Sequence, residues 1–254
     1  MSQEPPSSAD DWDAHWASFG EATRFNPAQD LRRRIIIRHL RRIGGPTRLL
    51  DIGSGTGDLL ARLAEHFPDA ELTGLEYSRT GVELGSHKVP SARFVQRDLL
   101  NDPAVPDDLA GQATHAVCSE VLEHLDDPVT FLRNAKAFLA PDCSLIVTVP
   151  AGPVSAYDRH IGHRRHFRPR ELGALLEEAG FEVGDIGRYG FPFFNCYRML
   201  VVLRGRRLIE DIGEQDGRVP RTATILMRLL NPLFRLSEFR LPLGWQLVGT
   251  ARPA

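Results

Sequence analysis

Residues 48–60, RLLDIGSGTGDLL, set an acid and three alternating glycines between a short apolar run and a segment with helical apolar spacing. Leu49, Leu50 and Ile52 read as a strand, Gly53 to Gly57 as a tight turn, and the residues from Asp58 as a helix. Glycine is required where the backbone takes positive φ or where a ligand lies too close for a Cβ, so the turn reads as a cofactor cradle. Nicotinamide, flavin and sulfonium cofactors all use such a turn. Here the spacing is Gly-x-Gly-x-Gly, unlike the Gly-x-Gly-x-x-Gly of dinucleotide folds, and Asp51 stands at the strand end just before it. Glu76 closes a second strand, where a carboxylate accepts hydrogen bonds from ribose hydroxyls. Asp98 follows a third, within reach of an adenine amino group. Three acids at strand ends beside a glycine cradle describe an adenosine site.

The string Leu50-Asp51-Ile52-Gly53-Ser54-Gly55-Thr56-Gly57, with Glu76, Asp98 and Ser119-Glu120-Val121-Leu122-Glu123-His124, resembles the class I S-adenosylmethionine-dependent methyltransferases. The resemblance covers roughly residues 47–190 and the last strand. Glu120 to His124 looks most like the small-molecule branch that includes the ubiquinone-biosynthesis O-methyltransferases. It implies an α/β, Rossmann-like doubly wound sheet of seven mostly parallel strands, order 3-2-1-4-5-7-6, with the seventh antiparallel. It also implies S-adenosyl-L-methionine as methyl donor and S-adenosyl-L-homocysteine as product. Carried over, it puts Asp51, Gly53 and Gly55 near the methionine carboxylate and amine of the cofactor, Glu76 at the ribose, Asp98 with Leu99 at the adenine, and Ser119 with Glu120 behind the sulfonium, with Ser54, Gly57 and Tyr77 as further cofactor contacts.

Methyl transfer from a sulfonium is an in-line displacement that needs alignment, exclusion of water and a deprotonated nucleophile. Acceptor-side chemistry is concentrated in residues 157–166, YDRHIGHRRH. An imidazole there suits a general base near neutral pH, with His163 or His160 as first candidates and His124 as the third. Arg159, Arg164 or Arg165 suit an anionic acceptor, since guanidinium matches carboxylate and phosphate. Tyr157 and His166 complete the candidate acceptor contacts, and any one of these residues can instead tie its loop to the sheet. No metal is expected. The weaker alternative is a cation held by Glu120, Glu123 and His124, with His163 completing the set.

The elements that must hold these groups alternate. Helices begin near Asp10 and at Pro27, strands run over 71–76, 92–95, 113–119, 144–149 and 181–189, and helices over 128–139 and 169–179. Residues 190–240 break the alternation with two apolar helical segments, 191–203 and 222–236, before a last strand at 244–251. Residues 1–45 read as an N-terminal helical segment and 46–254 as the catalytic domain, with 190–240 a lid-like insertion. Phe194 and Tyr197 in that insertion are candidate walls for an apolar or aromatic acceptor.

The chain's 254 residues suit one sizeable domain. A net charge of −2 gives no electrostatic case for nucleic acid. Arg32, Arg33, Arg34, Arg38, Arg41 and Arg42 lie on one helix and read as a solvated face, with an anionic ligand or peripheral membrane contact as the alternative. Three dispersed cysteines favour a reducing compartment, and residues 1–13 are polar and acidic, unlike a signal peptide. The expectation is a cytoplasmic enzyme acting on a small-molecule acceptor, residues 1–9 disordered.

Overall fold

The computed structural model describes residues 11–19, 27–102, 104–213 and 232–254. The expected disorder of residues 1–9 and most of the apolar segment 222–236 lie outside them. Seven strands form one sheet in the order β3-β2-β1-β4-β5-β7-β6. They are β1 (Arg48–Ile52), β2 (Glu71–Glu76), β3 (Arg93–Gln96), β4 (Ala113–Ser119), β5 (Leu139–Pro150), β6 (Phe181–Tyr189) and β7 (Gln246–Pro253). All neighbours pair in parallel except β7, which runs antiparallel to both β5 and β6. The expected topology is the one observed.

Alternate residues of the central strands feed two cores. Leu50, Ala116, Cys118, Leu145, Val147 and Leu247 pack on one face beneath α5 (Pro128–Ala135) and α7 (Pro169–Glu178). Leu49, Val117, Ile146 and Val248 pack on the other, beneath α2 (Pro27–Arg42) and α3 (Asp58–His66). Period-two alternation with apolar residues on both sides is what a doubly covered sheet demands. Leu31, Ile35 and Leu40 of α2 are fully buried there, so α2 is a covering layer of the sheet.

The arginines of α2 are not a solvated face. Arg33 is 8% exposed and pairs with Asp58 at 3.4 Å. Arg32 meets Glu120 at 3.3 Å, while Arg34 and Arg38 both grip Glu238 in the turn before β7. Apolar side chains on one side and buried or half-buried acids on the other occupy the helix, while Arg41 and Arg42 are exposed.

The largest departures from the expected boundaries lie around β5 and in the helix that follows β6. Helix α5 stops at Ala135, and β5 begins at Leu139 through an irregular stretch between the Leu139 and Ser144 pairings; Pro141, unable to donate to a ladder, falls in that stretch. Helix α8 (Phe193–Gly213) outlasts the predicted 191–203 segment but breaks at Gly205, whose φ of 43° and ψ of −114° are not helical. The remaining helices are α1 (Trp12–Phe19), α4 (Arg79–Lys88) and α6 (Ala156–His160). Among the described residues, no helix is long and apolar enough to cross a membrane.

Candidate functional site

Asp51, Glu76 and Ser119 leave the carboxyl ends of β1, β2 and β4 on one edge of the sheet, the edge where open α/β folds bind ligands. Gly53, Gly55 and Gly57 all take positive φ, of 77°, 53° and 75°, which bars other residue types without strain. The space beside them is filled by protein. A Cβ would fall 2.5 Å from Val121 at Gly53, 2.9 Å from Trp16 at Gly55 and 2.8 Å from Phe94 at Gly57. Close approach is thus real, but side chains make it.

Glu76 joins the first two strand ends. Its carboxylate accepts from the Gly55 amide at 2.7 Å and the Ser78 amide at 3.0 Å. Burial nevertheless raises its pKa, against those hydrogen bonds and the opposing influence of the nearby Trp16 indole. Asp51 is 2% exposed, its Oδ2 is buried with no hydrogen-bond partner, and burial with the nearby Glu76 pushes its pKa up to about 7. A buried carboxylate oxygen left unmatched beside a glycine turn fits an ammonium group of a ligand. Ser54 is buried with its Oγ turned toward Gly74 of β2, and Tyr77 is 49% exposed. Asp98 accepts from the Leu100 and Asn101 amides and the Asn101 side chain, while Leu99 is buried and its carbonyl receives Asn134.

Beyond β4 the chain makes a sharp corner at Glu120, the one non-glycine residue with positive φ among those described, at 59°. Glu120 does not join Glu123 and His124 as the possible metal set had it. Its carboxylate accepts from Thr148 at 3.1 Å and Gln246 at 2.8 Å and pairs with Arg32, so three neighbours hold it toward β5, β7 and α2. The Ser119 hydroxyl meets that of Thr148 at 2.8 Å.

His163 supplies what Glu120 does not. One ring nitrogen each from His124 and His163 and a carboxylate oxygen of Glu123 fall within 4.8 Å of one another; so do Asp158, His163 and His166. The rings of His124 and His163 stand edge to face at 4.6 Å, and His163 Nδ1 lies 3.3 Å from His166 Nε2. Backbone bonds fix this cluster: the His163 amide donates to Asp158, and the Arg164 amide donates to Glu123. Asp158 is fully buried, capped into α6 through Ser155 and paired with Arg198 of α8 at 2.8 Å. Burial and the neighbouring His124 drive the His163 pKa well below its ordinary value, and burial lowers that of His166.

The other predicted acceptor residues scatter. His160 and Arg159 are exposed at the end of α6. Arg164 pairs with Asp126, and Tyr157 is partly buried, its pKa raised by burial and by Tyr197. Phe194 does not line the cleft: it is 2% exposed and belongs to the core under α2, and Tyr197 packs against that core.

Sequence patterning gave α1 no role at the site, yet α1 lies across it. Asp13 accepts from the Ser78 hydroxyl at 2.5 Å and the Thr80 amide at 2.8 Å. Trp16 rests on Gly55, Trp12 stands 4.9 Å from His124, and the two indoles are 5.8 Å apart. The spacing of the two tryptophans foretold a helix; nothing in it foretold what the helix would cover.

A family profile described as a methyltransferase domain matches residues 22–185, well over half of the chain. This chain belongs to the S-adenosylmethionine-dependent methyltransferases. It is 28% identical over 155 residues to the ubiquinone biosynthesis O-methyltransferase of Pseudomonas aeruginosa, covering 55% of the chain and 66% of the relative. It is 30% identical over 194 residues to the trans-aconitate 2-methyltransferase of Deinococcus radiodurans, covering 76% of the chain and again 66% of the relative. The alignment therefore spans just under two thirds of each relative's length. The plantazolicin methyltransferase BpumL, solved with S-adenosylhomocysteine, shares the fold at a TM-score of 0.58 and 14% identity, over 96% of this chain and 89% of that one. The histidine cluster lies on the same edge of the sheet as Asp51 and Glu76.

Proposed function

We propose that this methyltransferase moves a methyl group from S-adenosyl-L-methionine to an oxygen of a small organic acceptor, with His163 as general base. One observation carries the reading. Trp16 on Gly55 and Trp12 on His124, their ring centroids 5.8 Å apart, link the glycine turn to the histidine cluster along one edge of the sheet, which supports a donor side and an acceptor side facing each other there.

In this reading Asp51 receives the cofactor ammonium, Gly53 to Gly57 border its methionine chain, Glu76 takes the ribose hydroxyls, and Leu99 and Asp98 flank the adenine. The cofactor supplies an electrophilic methyl group on a sulfonium. His163, neutral because its charged form is costly in this burial, is ready to accept a proton. Its low basicity suffices late in the displacement, since a hydroxyl oxygen already bonding to carbon is strongly acidic. A proton taken by His163 would leave an imidazolium where a bound sulfonium had brought a positive charge, so the net charge of the site would not change.

The O-methyltransferase similarity supports oxygen as the nucleophile. A second reading, an apolar lipid-like or quinone-type acceptor taken at a membrane surface, is favoured by Leu200, Leu203, Leu236, Phe239 and Leu243, 53–74% exposed in the insertion and its return. Liposomes should then raise turnover.

The test is incubation of the protein with methyl-labelled S-adenosylmethionine and fractionated cell extract. Label should enter the small-molecule fraction, and His163→Gln should reduce turnover by roughly 100-fold while sparing affinity for S-adenosylhomocysteine. Label confined to macromolecules would overturn the acceptor class, and no transfer to any fraction would make the chain a binding protein.

A further inference from the structure

His166 touches neither donor loop nor Glu123 group, yet its position settles which nitrogen of His163 can act. Its Nδ1 lies 3.1 Å from the Gly152 carbonyl oxygen. A carbonyl only accepts, so Nδ1 carries the hydrogen. In the neutral ring Nε2 is then bare, and it is the atom 3.3 Å from His163 Nδ1. His163 Nδ1 must therefore be the donor, which leaves the lone pair of His163 on Nε2. We infer that His166, held by Gly152, is a positioning residue that fixes His163 as the Nδ1–H tautomer and so presents Nε2 as the proton-accepting atom.

The competing arrangement is a doubly protonated His166 donating to a bare His163 Nδ1. The surroundings oppose it. The His166 side chain is 3% exposed, Asp158 is its nearest acid at 3.8 Å, and Oδ2 of Asp158 already receives Arg198, the Ser155 amide and the Ser155 hydroxyl. Asp158 still attracts a cation at His166, its Oδ1 having no partner, but burial of the ring, with Arg198 close by, outweighs that attraction and keeps His166 below its ordinary pKa.

Local sequence explains the arrangement. Gly152 has φ of 78° and packs against Trp245, where a Cβ would fall 2.7 Å from the indole; this turn aims the Gly152 carbonyl at His166. Two residues separate His163 from His166 across a segment pinned at the His163, Arg164 and Phe167 amides, which donate to the carbonyls of Asp158, Glu123 and Pro150. Both rings are thus set by backbone rather than by each other. A neutral histidine left to itself exchanges between tautomers, and the chain of carbonyl, His166 and His163 removes that freedom.

The inference rests on the reading of His163 as base, but its test does not. Long-range 1H–15N spectra of protein labelled in histidine should show His163 with a protonated Nδ1 and a bare Nε2. In His166→Phe the signal should shift toward the Nε2–H form, and His166→Gln, whose amide oxygen can accept from His163 Nδ1, should restore the wild-type pattern. Turnover should follow, with kcat falling on the order of 10- to 100-fold in His166→Phe, recovering in His166→Gln, and affinity for S-adenosylhomocysteine unchanged in both. A wild-type spectrum with Nε2–H at His163 overturns the inference without any variant, as does an unaltered His163 tautomer in His166→Phe. If instead the spectra agree and His163→Gln keeps full turnover, the positioning stands and the assignment of the base falls.

Discussion

Trp16 of α1 covers Gly55 of the donor loop so closely that a methyl group on Gly55 would fall 2.9 Å from the indole Cζ2. The same indole stands beside Glu76 and lowers its pKa, and Asp13 ties the helix to Ser78 and Thr80. Gly55 and Glu76 are the surfaces assigned to the cofactor, so ring and cofactor compete for them. Trp16→Ala is expected to tighten S-adenosylhomocysteine binding by up to about tenfold, roughly 1.4 kcal/mol, read by calorimetry. Weaker binding in the variant would instead make Trp16 a wall of the bound state.

Asp51 gives the donor side a pH signature. Burial and Glu76 place its pKa at about 7 in the free protein, far above the 3.8 of an exposed aspartate. A ligand ammonium at Oδ2 lowers that value, so binding expels a proton wherever Asp51 was protonated. Affinity for S-adenosylhomocysteine should rise with pH up to about 7, at most tenfold per unit on the acid side, and level off above. Asp51→Asn should bind more weakly with that dependence flattened. A wild-type affinity independent of pH from 5.5 to 7.5 would remove Asp51 from the ammonium.

Arg198 and Asp158 join the insertion to the histidine loop. Asp158 is fully buried, and its pKa is held at about 2 against burial by Arg198 and the Ser155 hydrogen bonds. Removing the guanidinium leaves a buried charge, so Arg198→Ala should cost ~3 kcal/mol in urea denaturation, and the double variant with Asp158→Asn should recover part of it. The depressed pKa sets the sign with pH: this stabilisation is present above about pH 4 and is lost as pH falls toward 2. Equal destabilisation in the single and double variants would contradict the pairing.

The sheet, and the acids and glycines at its carboxyl edge, were legible because their signals are local. Glycines at alternate positions, acids at strand ends and period-two apolar residues each act within a few neighbours of themselves, and β4 and β6 fall at their predicted limits. The roles of Arg32, Glu120, Arg198 and Trp16 were not legible. Arg32 meets an acid 88 residues away, and Trp16 meets a turn 39 residues on; pairings of that kind are set by how layers stack, which no single segment encodes. The histidine cluster lay between. Its density in residues 157–166 marked the loop, but only the fold brought His124 beside His163 and left His160 exposed.

Glu123 is the least comfortable residue of the cleft. It is fully buried, neither carboxylate oxygen has a hydrogen-bond partner, and burial with the nearby Glu120 raises its pKa well above 4.5. The folded protein therefore keeps it neutral while the unfolded chain ionises it, so folding stability declines as pH rises above about 4.5, by at most ~1.4 kcal/mol per unit. Glu123→Gln should remove that slope, and the margin of the variant over the wild type should widen with pH, measured by thermal unfolding between pH 5 and 8. A cation shared by Glu123, His124 and His163 reverses the sign. The carboxylate would then be ionised and matched, Glu123→Gln would lose stability, and dialysis against a strong chelator would lower the wild-type Tm; an unchanged Tm is the expected result.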